Sequence, residues 1–514
     1  MQPLVELYAI EAQLPSLKDN TGDLDRLRRA VAERFGGREP VVPFGCLPRV
    51  AGNFRRAGFV GGAVVNNLPS GPELVDFVVM PAKPLVGIAL DLGTTHLEAV
   101  LVELASGRRL AEADCENGQL EFGADILSRI HYAAQPGGLA ALHSAVISCV
   151  NELAADLADR AGTAVEEIRA LSVSGNTAMV HFFLKFDPYH LIREPYIPLV
   201  NVPDPCRALE LGLAIDPGAP VWVVPGVGSY FGGDLVSGVV ASGLARGDKV
   251  SMLIDVGTNA EVIVGNREWL IACAGAAGPA LEGGVVRMGM RAGPGAVARV
   301  EIDPASGGLT YQTIGGARPK GICGSGIIDL VAGLYLGRFI DIRGKFRPGR
   351  NPARFVETAE GLAFVLVDAA ESADGKPVLF GQVDLDAVMR SKAAMYSILT
   401  TLVNQVGIGF DELERIYVAG AFGRHISPRQ AITLGMLPDL PLAVFKPIGN
   451  SSLAGAEMVL LDGAARRECR ELVRKITYLE LNVNQEFMTR FSGCRFIPHT
   501  DATLFPSVPF LNGD

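Results

Sequence analysis

The chain has 514 residues, of which 49% are hydrophobic and 20% are charged, and its formal net charge is −10 at pH 7. These values exclude a disordered chain and argue against a protein that binds nucleic acid through a basic surface. The chain does not open with a basic segment followed by an apolar core, and no uninterrupted apolar run approaches the roughly 18 residues of a membrane span. We therefore expect a soluble, cytoplasmic protein of two or more domains, with neither a nucleic-acid partner nor a membrane partner.

The eight cysteines are dispersed along the chain, at positions 46, 115, 149, 206, 273, 323, 469 and 494. No two of them have the C-x-x-C spacing that zinc sites and iron–sulfur clusters commonly use. The sequence therefore predicts no 2Fe–2S cluster in these residues, and each cysteine is expected to be a small apolar side chain in a reducing compartment.

The first 83 residues carry no obvious chemistry. Residues 1–12 are predicted to form a linker, and residues 13–83 a small α/β domain with an amphipathic helix that starts near Asp23. Pro81 and Pro84 mark the end of this domain. By elimination, we expect it to act in docking or dimerisation.

A first half, residues 84–248, opens with a hairpin around Asp91. An apolar run leads into Asp91-Leu92-Gly93-Thr94-Thr95, and an alternating run follows from Leu97 to Leu104, so strand, turn and strand are predicted. Backbone N–H groups and the two threonine hydroxyls of such a turn can bind an anion, while the aspartate can hold a hydrated divalent cation. The alternative is a Gly-Thr turn with no ligand.

The same pattern recurs in a second half, residues 249–514, as Asp255-Val256-Gly257-Thr258-Asn259 between two apolar runs. Repetition at the scale of a domain predicts duplicated α/β halves whose hairpins face each other across a cleft. A phosphate chain would then be bound from both sides, with Asp91 and Asp255 near its metal ion. The repeat favours a ligand site over ordinary turns.

Three glycine-rich stretches add candidates. Asp234 follows Gly232-Gly233 at a predicted helix start, where it would cap the helix or orient a metal-bound or attacking water. Gly324-Ser325-Gly326 opens another predicted helix, whose N–H groups would suit a phosphate or ribose. Gly420-Ala421-Phe422 ends an apolar strand, where adenine could lie against bare backbone. The chain has no Gly-Lys-Ser/Thr P-loop and no G-x-G-x-x-G, which argues against P-loop and Rossmann folds.

Three further stretches precede predicted helices. Polar residues at 117–129 are interpreted as a capped helix with a polar face. Ser174-Gly175-Asn176-Thr177 ends a predicted strand and would serve either as ligand contacts or as an N-cap. The small residues at 449–456 would allow close helix packing, and a hinge is expected there.

Taken together, these motifs resemble the ASKHA superfamily, the ATPase fold shared by acetate and sugar kinases, actin and heat-shock chaperones. Gly-Ser-Tyr-Phe-Gly-Gly-Asp at 228–234, Gly-Ile-Cys-Gly-Ser-Gly at 321–326 and the tail Pro-His-Thr-Asp at 498–501 resemble one family within it. These are the ATP-dependent reductive activators of corrinoid-dependent methyltransferases and corrinoid proteins.

The resemblance implies a duplicated actin-like, ribonuclease H-like fold and a function: ATP drives the return of an inactive Co(II) corrinoid to Co(I) in a partner corrinoid protein or methyltransferase. It implies ATP and Mg²⁺ as cofactors, and a homodimer. Family members usually carry a ferredoxin-like 2Fe–2S domain, which these residues lack, so the electron donor is expected to be a separate or missing ferredoxin-like component.

The resemblance also assigns roles by position. Gly93, Thr94 and Thr95 would contact one side of the phosphates, and Gly257, Thr258 and Asn259 the other; Asp91 and Asp255 would organise Mg²⁺ and water. The nucleoside pocket would be lined by Gly324, Ser325, Gly420, Ala421 and Phe422. Two alternatives stay open: a small-molecule kinase for a carboxylate or sugar, with Asp234 as its base, and a nucleotide-gated scaffold.

Overall fold

The structure is a computed structural model that describes residues 1–257, 259–276, 278, 286–481 and 484–511. The chain forms two compact units. One comprises Met1–Ala241 with Ser451–Lys475, and the other comprises Ser242–Asn450 with Ile476–Asp514.

The first unit begins with a small three-stranded antiparallel sheet, ordered β1-β2-β3, and two helices. Its elements are β1 (Val5–Glu11), α1 (Asp23–Ala32), α2 (Leu47–Arg56), β2 (Val60–Leu68) and β3 (Gly71–Val78). The predicted helix at Asp23 is present. The prediction of a linker at residues 1–12 is wrong, because Val5 to Glu11 pair with β2 over seven positions and thereby complete the sheet.

A six-stranded sheet follows, in the order β6-β5-β4-β7-β9-β8. Its strands are β4 (Val86–Leu92), β5 (His96–Glu103), β6 (Arg109–Glu116), β7 (Ile168–Gly175), β8 (Cys206–Arg207) and β9 (Pro220–Val223). The accompanying helices are α3 (Ile126–Ala133), α4 (Gly138–Ala161), α5 (Thr177–Phe183), α6 (Ala208–Leu211) and α7 (Gly233–Ser242). Strands β4, β5 and β6 are antiparallel, whereas β4, β7 and β9 run parallel.

Helix α4 is long and apolar enough to cross a membrane by length and composition alone. In the structure it packs on β5 and β6, and it buries a stripe of residues spaced three or four apart, including Leu142, Val146, Val150, Leu153 and Leu157. This stripe belongs to the hydrophobic core of the first unit. The burial pattern is that of a core helix.

The remaining elements lie in the chain from Ser251 onward. The strands are β10 (Ser251–Val256), β11 (Asn259–Gly265), β12 (Leu270–Ala276), β13 (Ala296–Ile302), β14 (Leu309–Thr313), β15 (Gly321–Ile322), β16 (Phe355–Thr358), β17 (Gly361–Val367), β18 (Val378–Gly381), β19 (Arg415–Ala419), β20 (Phe445–Gly449) and β21 (Ile476–Leu479). The helices are α8 (Gly324–Leu336), α9 (Gln382–Gln405), α10 (Gly420–His425), α11 (Pro428–Thr433), α12 (Ser451–Leu461), α13 (Gly463–Lys475) and α14 (Gln485–Cys494).

The central sheet of the second unit repeats that of the first. Its order is β20-β19-β10-β11-β12-β21, in which β10, β11 and β12 are antiparallel while β10, β19 and β20 run parallel. Thus β10-β11-β12 corresponds to β4-β5-β6, and β19 and β20 correspond to β7 and β9. Two additional three-stranded sheets, β14-β13-β15 and β16-β17-β18, belong to this unit. The predicted duplication of α/β halves is confirmed.

The division of the chain differs most from the predicted boundaries in the segment Ser451–Lys475. Residues Ser451–Lys475, expected in the second half at 249–514, belong to the first unit, where α12 packs on β4, β5 and β7. The contact is close because a buried serine, Ser172 on β7, donates a 2.6 Å hydrogen bond to the Ala456 carbonyl of α12. The segment that starts at Ser451, 210 positions after Ala241 (451 minus 241), therefore completes the first unit.

Candidate functional site

The first hairpin is built as predicted. Asp91 is the penultimate residue of β4, and the turn before β5 contains Gly93, Thr94 and Thr95. Gly93 lies so close to the chain that a Cβ there would be 2.3 Å from the His96 carbonyl oxygen. The turn is therefore tight, and Gly93 is the residue that allows the close approach.

Asp91 is held by a hydroxyl from the far end of the sequence. Ser452 of α12 donates a 2.6 Å hydrogen bond to its Oδ1. The Ser174 hydroxyl on β7 lies 2.9 Å from Ser452 Oγ and 2.8 Å from Ser237 Oγ on α7. Ser174 and Ser237 are fully buried, and Ser452 is 6% exposed. Because each hydroxyl has one proton, a chain in which each serine donates to the next can end on the carboxylate.

Asn176 caps a helix, as one of its two interpretations predicts, and it also contacts the hairpin. Its Oδ1 accepts a hydrogen bond from Met179 N in the first turn of α5, and its Nδ2 donates to Thr94 Oγ1 at 3.0 Å. Gly232 packs directly behind it, where a Cβ would lie 2.6 Å from Asn176 Cα and 2.8 Å from Asp234 Oδ1. Asp234, in the first turn of α7, is thus next to the residue that contacts Thr94.

A second amide fixes the same turn from the other side. Asn117, which is 1% exposed, donates from Nδ2 to the Gly93 carbonyl and from its backbone N–H to the Thr95 carbonyl, both at 2.9 Å. The sequence interpretation of a polar helix face holds for Asp125, which caps α3 through Ser128 N. It fails for Asn117 and its neighbour Gln119, which are buried.

In the second unit, Asp255 occupies the position of Asp91. It is the penultimate residue of β10 and pairs with Glu261, as Asp91 pairs with Glu98. The turn is tight here as well, since Gly257 N donates to the Asn259 carbonyl at 2.8 Å. Thr258 lies outside the described residues.

Gly420 brings bare backbone against the Asp255 carboxylate. It opens α10 with a φ of +71°, and a Cβ at this position would lie 2.9 Å from Asp255 Oδ1. Only glycine satisfies both the left-handed backbone and the close approach. Ala421 and Phe422 follow in the same helix, and their side chains lie outside the described set.

The Gly324-Ser325-Gly326 stretch forms the first turn of α8, as predicted. Gly326 packs on β13, where a Cβ would collide with the Val297 carbonyl. The Ser325 hydroxyl is buried and donates to the Ala298 carbonyl at 2.9 Å. Its side chain is therefore used to fix the helix, and backbone N–H groups of the first turn are what this stretch can offer to a ligand. Helix α8 also contacts α10, which begins at Gly420.

The sequence analysis did not predict two residues that donate hydrogen bonds to the first hairpin. Ser452 was assigned only to a hinge, and Asn117 only to a helix cap. The available signal was symmetry: α12 follows β20 as α7 follows β9, so its first turn corresponds to the Gly233-Asp234 turn that was singled out.

The ligand groups available at the Asp91 hairpin and at the Asp255 hairpin are of the kind that bind a magnesium nucleotide. Mg²⁺ prefers carboxylate oxygens and retained waters, and each hairpin supplies one carboxylate beside a tight turn of backbone N–H groups. At Gly420, the absence of a Cβ leaves space next to Asp255 Oδ1. Among the described residues, no group of three or more His, Cys, Asp or Glu side chains is placed to bind a metal without further ligands. Phosphate oxygens would supply such ligands.

Comparisons with known proteins agree with this geometry. Residues 249–509 match the family model described as the C-terminal domain of RACo, the ASKHA domain; residues 86–247 match the RACo middle region, and residues 1–76 the RACo linker region. The linker model thus covers most of the small α/β domain that the sequence analysis placed at 13–83.

Individual relatives cover most of the chain. The corrinoid activation enzyme RamQ of Eubacterium limosum is 32% identical over 502 residues, which is 95% of this chain and 82% of the relative. The Co(II) methylated amine-specific corrinoid protein reductase of Methanosarcina barkeri is 23% identical over 76% of this chain and 73% of its own length. A solved structure, the reductive activator for corrinoid, iron–sulfur protein, is 39% identical with a TM-score of 0.90 and covers 99% of this chain and 81% of its own.

Proposed function

The chain belongs to the RACo family, and from that membership we propose that it is an enzyme that uses ATP to drive reduction of an inactive Co(II) corrinoid to Co(I) in a partner corrinoid protein or methyltransferase. The observation that carries the ATP-dependent part is the repeated sheet, in which Asp91 and Asp255 end corresponding strands beside corresponding tight turns.

We assign the following binding roles to these residues. Asp91 and Asp255 would hold Mg²⁺ and its waters through their carboxylates. The turns at 93–95 and 257–259 would contact phosphate oxygens, the first of them also through the Thr94 and Thr95 hydroxyls. The first turn of α8 and the segment 420–422 would contact the nucleoside. Magnesium supplies charge neutralisation on the phosphates, and phosphoryl transfer to water needs positioning more than a covalent nucleophile.

Asp234 is proposed to orient the attacking water. Its position in the first turn of α7, next to Asn176, places a carboxylate beside the residue that contacts Thr94. A carboxylate there would accept a proton from water as it attacks the terminal phosphate. Its Oδ1 also accepts a hydrogen bond from Leu235 N at 2.9 Å, which fixes the side chain at the helix start.

ATP would act on the corrinoid protein through conformation. If the nucleotide-bound and nucleotide-free forms differ in affinity for the partner, hydrolysis can shift the partner between states in which the cobalt is harder or easier to reduce. The electron is a separate requirement, one per Co(II), and we propose that it comes from a ferredoxin-like iron–sulfur donor outside residues 1–514. A homodimer and a cytoplasmic location complete the proposal.

The test compares three variants in two assays. Asp91→Asn and Asp255→Asn should each lower ATP hydrolysis and ATP-dependent formation of Co(I) on a purified Co(II) corrinoid protein by about 100-fold or more, because a metal-binding carboxylate is lost. Asp204→Asn is the matched control, since that carboxylate is 97% exposed and should leave both activities unchanged.

Two results would count against the proposal. Wild-type hydrolysis in both hairpin variants would separate the hairpins from catalysis. Phosphorylation of a carboxylate or sugar acceptor by the wild-type protein, without stimulation by a corrinoid protein, would favour the kinase alternative instead.

A further inference from the structure

The first unit contains a buried guanidinium that binds only neutral acceptors. Arg129 of α3 is 0% exposed. Its Nε donates to the Gly123 carbonyl at 2.9 Å, and its Nη1 donates to Gln119 Oε1 at 3.2 Å and to Met179 Sδ at 3.5 Å. Its Nη2 is buried and has no hydrogen-bond partner in the part of the chain that the structure describes. Three of its contacts are therefore fixed, and none of them neutralises the positive charge.

The carboxylate that acts on this charge is not paired with it. Asp125 is close enough to favour the charged form of Arg129, but the two side chains do not form an ion pair within 4 Å. The two oxygens of Asp125 instead accept hydrogen bonds from Ser128 N and Oγ, at 2.8 and 2.9 Å. Burial lowers the pKa of Arg129 to about 10, so the guanidinium stays positively charged at pH 7. Because buried charges are normally paired, the missing partner indicates that a ligand supplies the negative charge.

Other buried arginines of the same unit are compensated. Arg26 forms an ion pair with Asp19 at 2.5 Å. Arg466 lies with its guanidinium 5.8 Å from the centre of the Trp222 ring, whose face carries partial negative charge. Among the described residues, Arg129 has neither an ion pair nor an aromatic ring of this kind. Its charge is therefore available to act on a neighbouring site.

The neighbouring site is the first hairpin. Met179 Sδ, which contacts Arg129 Nη1, also lies 3.9 Å from Asn117 Nδ2. That same Nδ2 donates to the Gly93 carbonyl at 2.9 Å. Gln119, the other side-chain acceptor of Arg129, donates from its backbone N–H to Asn117 Oδ1 at 2.9 Å. Asn117, Gln119 and Met179 are all buried, so little water lies between the guanidinium and the turn to screen the charge.

We propose that the uncompensated charge of Arg129 strengthens phosphate binding at the turn 93–95 and favours the triphosphate over the diphosphate. Arg129 is then a positioning and specificity-determining residue that acts through space and does not touch the nucleotide. The inference rests on the proposed ATP-dependent function. ATP has one more phosphate than ADP and therefore more negative charge, so the attraction is larger for ATP. At an effective dielectric constant of about 20, two unit charges about 10 Å apart change a binding constant roughly tenfold.

The experiment separates charge from hydrogen bonding at this position. Isothermal titration calorimetry gives the affinities of the full chain for MgATP, MgADP and adenosine, and circular dichroism confirms that each variant is folded. Arg129→Met and Arg129→Gln should each bind ATP roughly tenfold more weakly, lose less affinity for ADP, and bind adenosine as the wild type does. Arg129→Lys keeps the charge and should retain most of the preference for ATP. Arg466→Met is the matched control, a buried arginine of the same unit that should keep the wild-type ratio of affinities.

A second pair of variants leaves Arg129 in place. Met179→Glu puts a carboxylate next to the guanidinium, since Met179 Sδ lies 3.5 Å from Nη1. The charge is then neutralised, and the preference for ATP over ADP should fall as it does in Arg129→Met. Met179→Gln has nearly the same shape without the charge and should keep the wild-type preference. This pair decides the question if the substitutions at Arg129 prevent folding.

The outcomes distinguish this inference from the proposed function. A wild-type ratio of ATP to ADP affinity in Met179→Glu, or in a folded Arg129→Met, overturns the role of the charge. Equal losses in Arg129→Lys and Arg129→Met overturn it as well, because the hydrogen bonds and not the charge would then matter. In both cases the wild-type protein still binds ATP, and the proposed function stands. A wild-type protein that binds no nucleotide overturns the proposed function and this inference together.

Discussion

Ser452→Ala is the substitution that most directly tests how the first half-site is assembled. It removes the hydroxyl that donates to Asp91 at 2.6 Å and leaves the backbone of α12 unchanged. Ser174 loses a hydroxyl neighbour in the same step, although its 2.8 Å contact with Ser237 remains. The change is small in volume, so its effect should come from the lost hydrogen bond.

The magnitude follows from the charge of the acceptor. A hydrogen bond to a charged group contributes about 1.5–3 kcal/mol, and here the donor, Ser452, is buried. If that energy orients the carboxylate in the transition state, kcat for ATP hydrolysis should fall about 10- to 100-fold. The affinity for ATP should change less, because the turn that binds phosphates is fixed separately by Asn117 and Asn176.

Ser172→Ala is the matched control. Ser172 is also a buried serine at the packing of β7 on α12, but it donates to the Ala456 carbonyl and does not contact Asp91. Each variant should lose about 1 kcal/mol or more of unfolding free energy in a denaturant titration, and only Ser452→Ala should lose kcat. Equal kcat values in the two variants, whether both reduced or both unchanged, would refute the assignment of Ser452 to Asp91.

Three further predictions concern other parts of the chain. Gly420→Ala should abolish ATP hydrolysis, whereas Gly407→Ala, also at a φ near +70° but with open space around it, should cost only about 1 kcal/mol of stability with normal turnover. Burial lowers the pKa of Lys392 from 10.5 to about 7. Between these two pH values the unfolded chain binds more protons at this residue than the folded chain, so the contribution of Lys392 to the free energy of unfolding rises with pH. Relative to Lys392→Met, the wild type should therefore gain up to about 1.4 kcal/mol per pH unit between pH 7.5 and 8.5 in denaturant unfolding, and parallel pH profiles would contradict this. Asp216→Asn should destabilise the first unit by about 3 kcal/mol and expose residues 1–83 to protease, because buried Asp216 accepts hydrogen bonds from Arg49 at 2.8 and 3.2 Å; an unchanged digestion pattern would contradict it.

The elements that carry local signals could be predicted from the sequence. The alternating runs on either side of Asp91 and Asp255 became antiparallel hairpins, and Gly324 became the first residue of a helix. These features depend on neighbours within about ten residues, where side-chain periodicity and turn chemistry decide the conformation. The linker prediction for residues 1–12 failed because a strand gains its stability from a partner, here β2, some 50 residues later.

Contacts between distant segments account for the rest. Nothing near Ser452 indicates that its hydroxyl reaches Asp91, since the two residues are 361 positions apart. Asn117 shows a similar limit: a polar residue before a helix most often caps it, and only the packing of the sheet brings its amide to the Gly93 carbonyl. Pattern analysis found the hairpins, and the tertiary fold supplied the residues that hold them.

The two hairpins share a topology but differ in how each carboxylate is held. Ser174, which is part of the buried hydroxyl chain, lies in register with Asp91 on the neighbouring parallel strand. Ala419, which has no hydroxyl, lies in register with Asp255. Asp255 instead meets the backbone of Gly420. An aspartate fixed by a hydroxyl tolerates loss of that partner with reduced rate, whereas one packed against glycine backbone tolerates no added Cβ. The described contacts of the two carboxylates therefore differ: Ser452 of α12 donates to Asp91, whereas the backbone of Gly420 lies against Asp255. The graded loss expected for Ser452→Ala and the complete loss expected for Gly420→Ala are the measurable form of that difference.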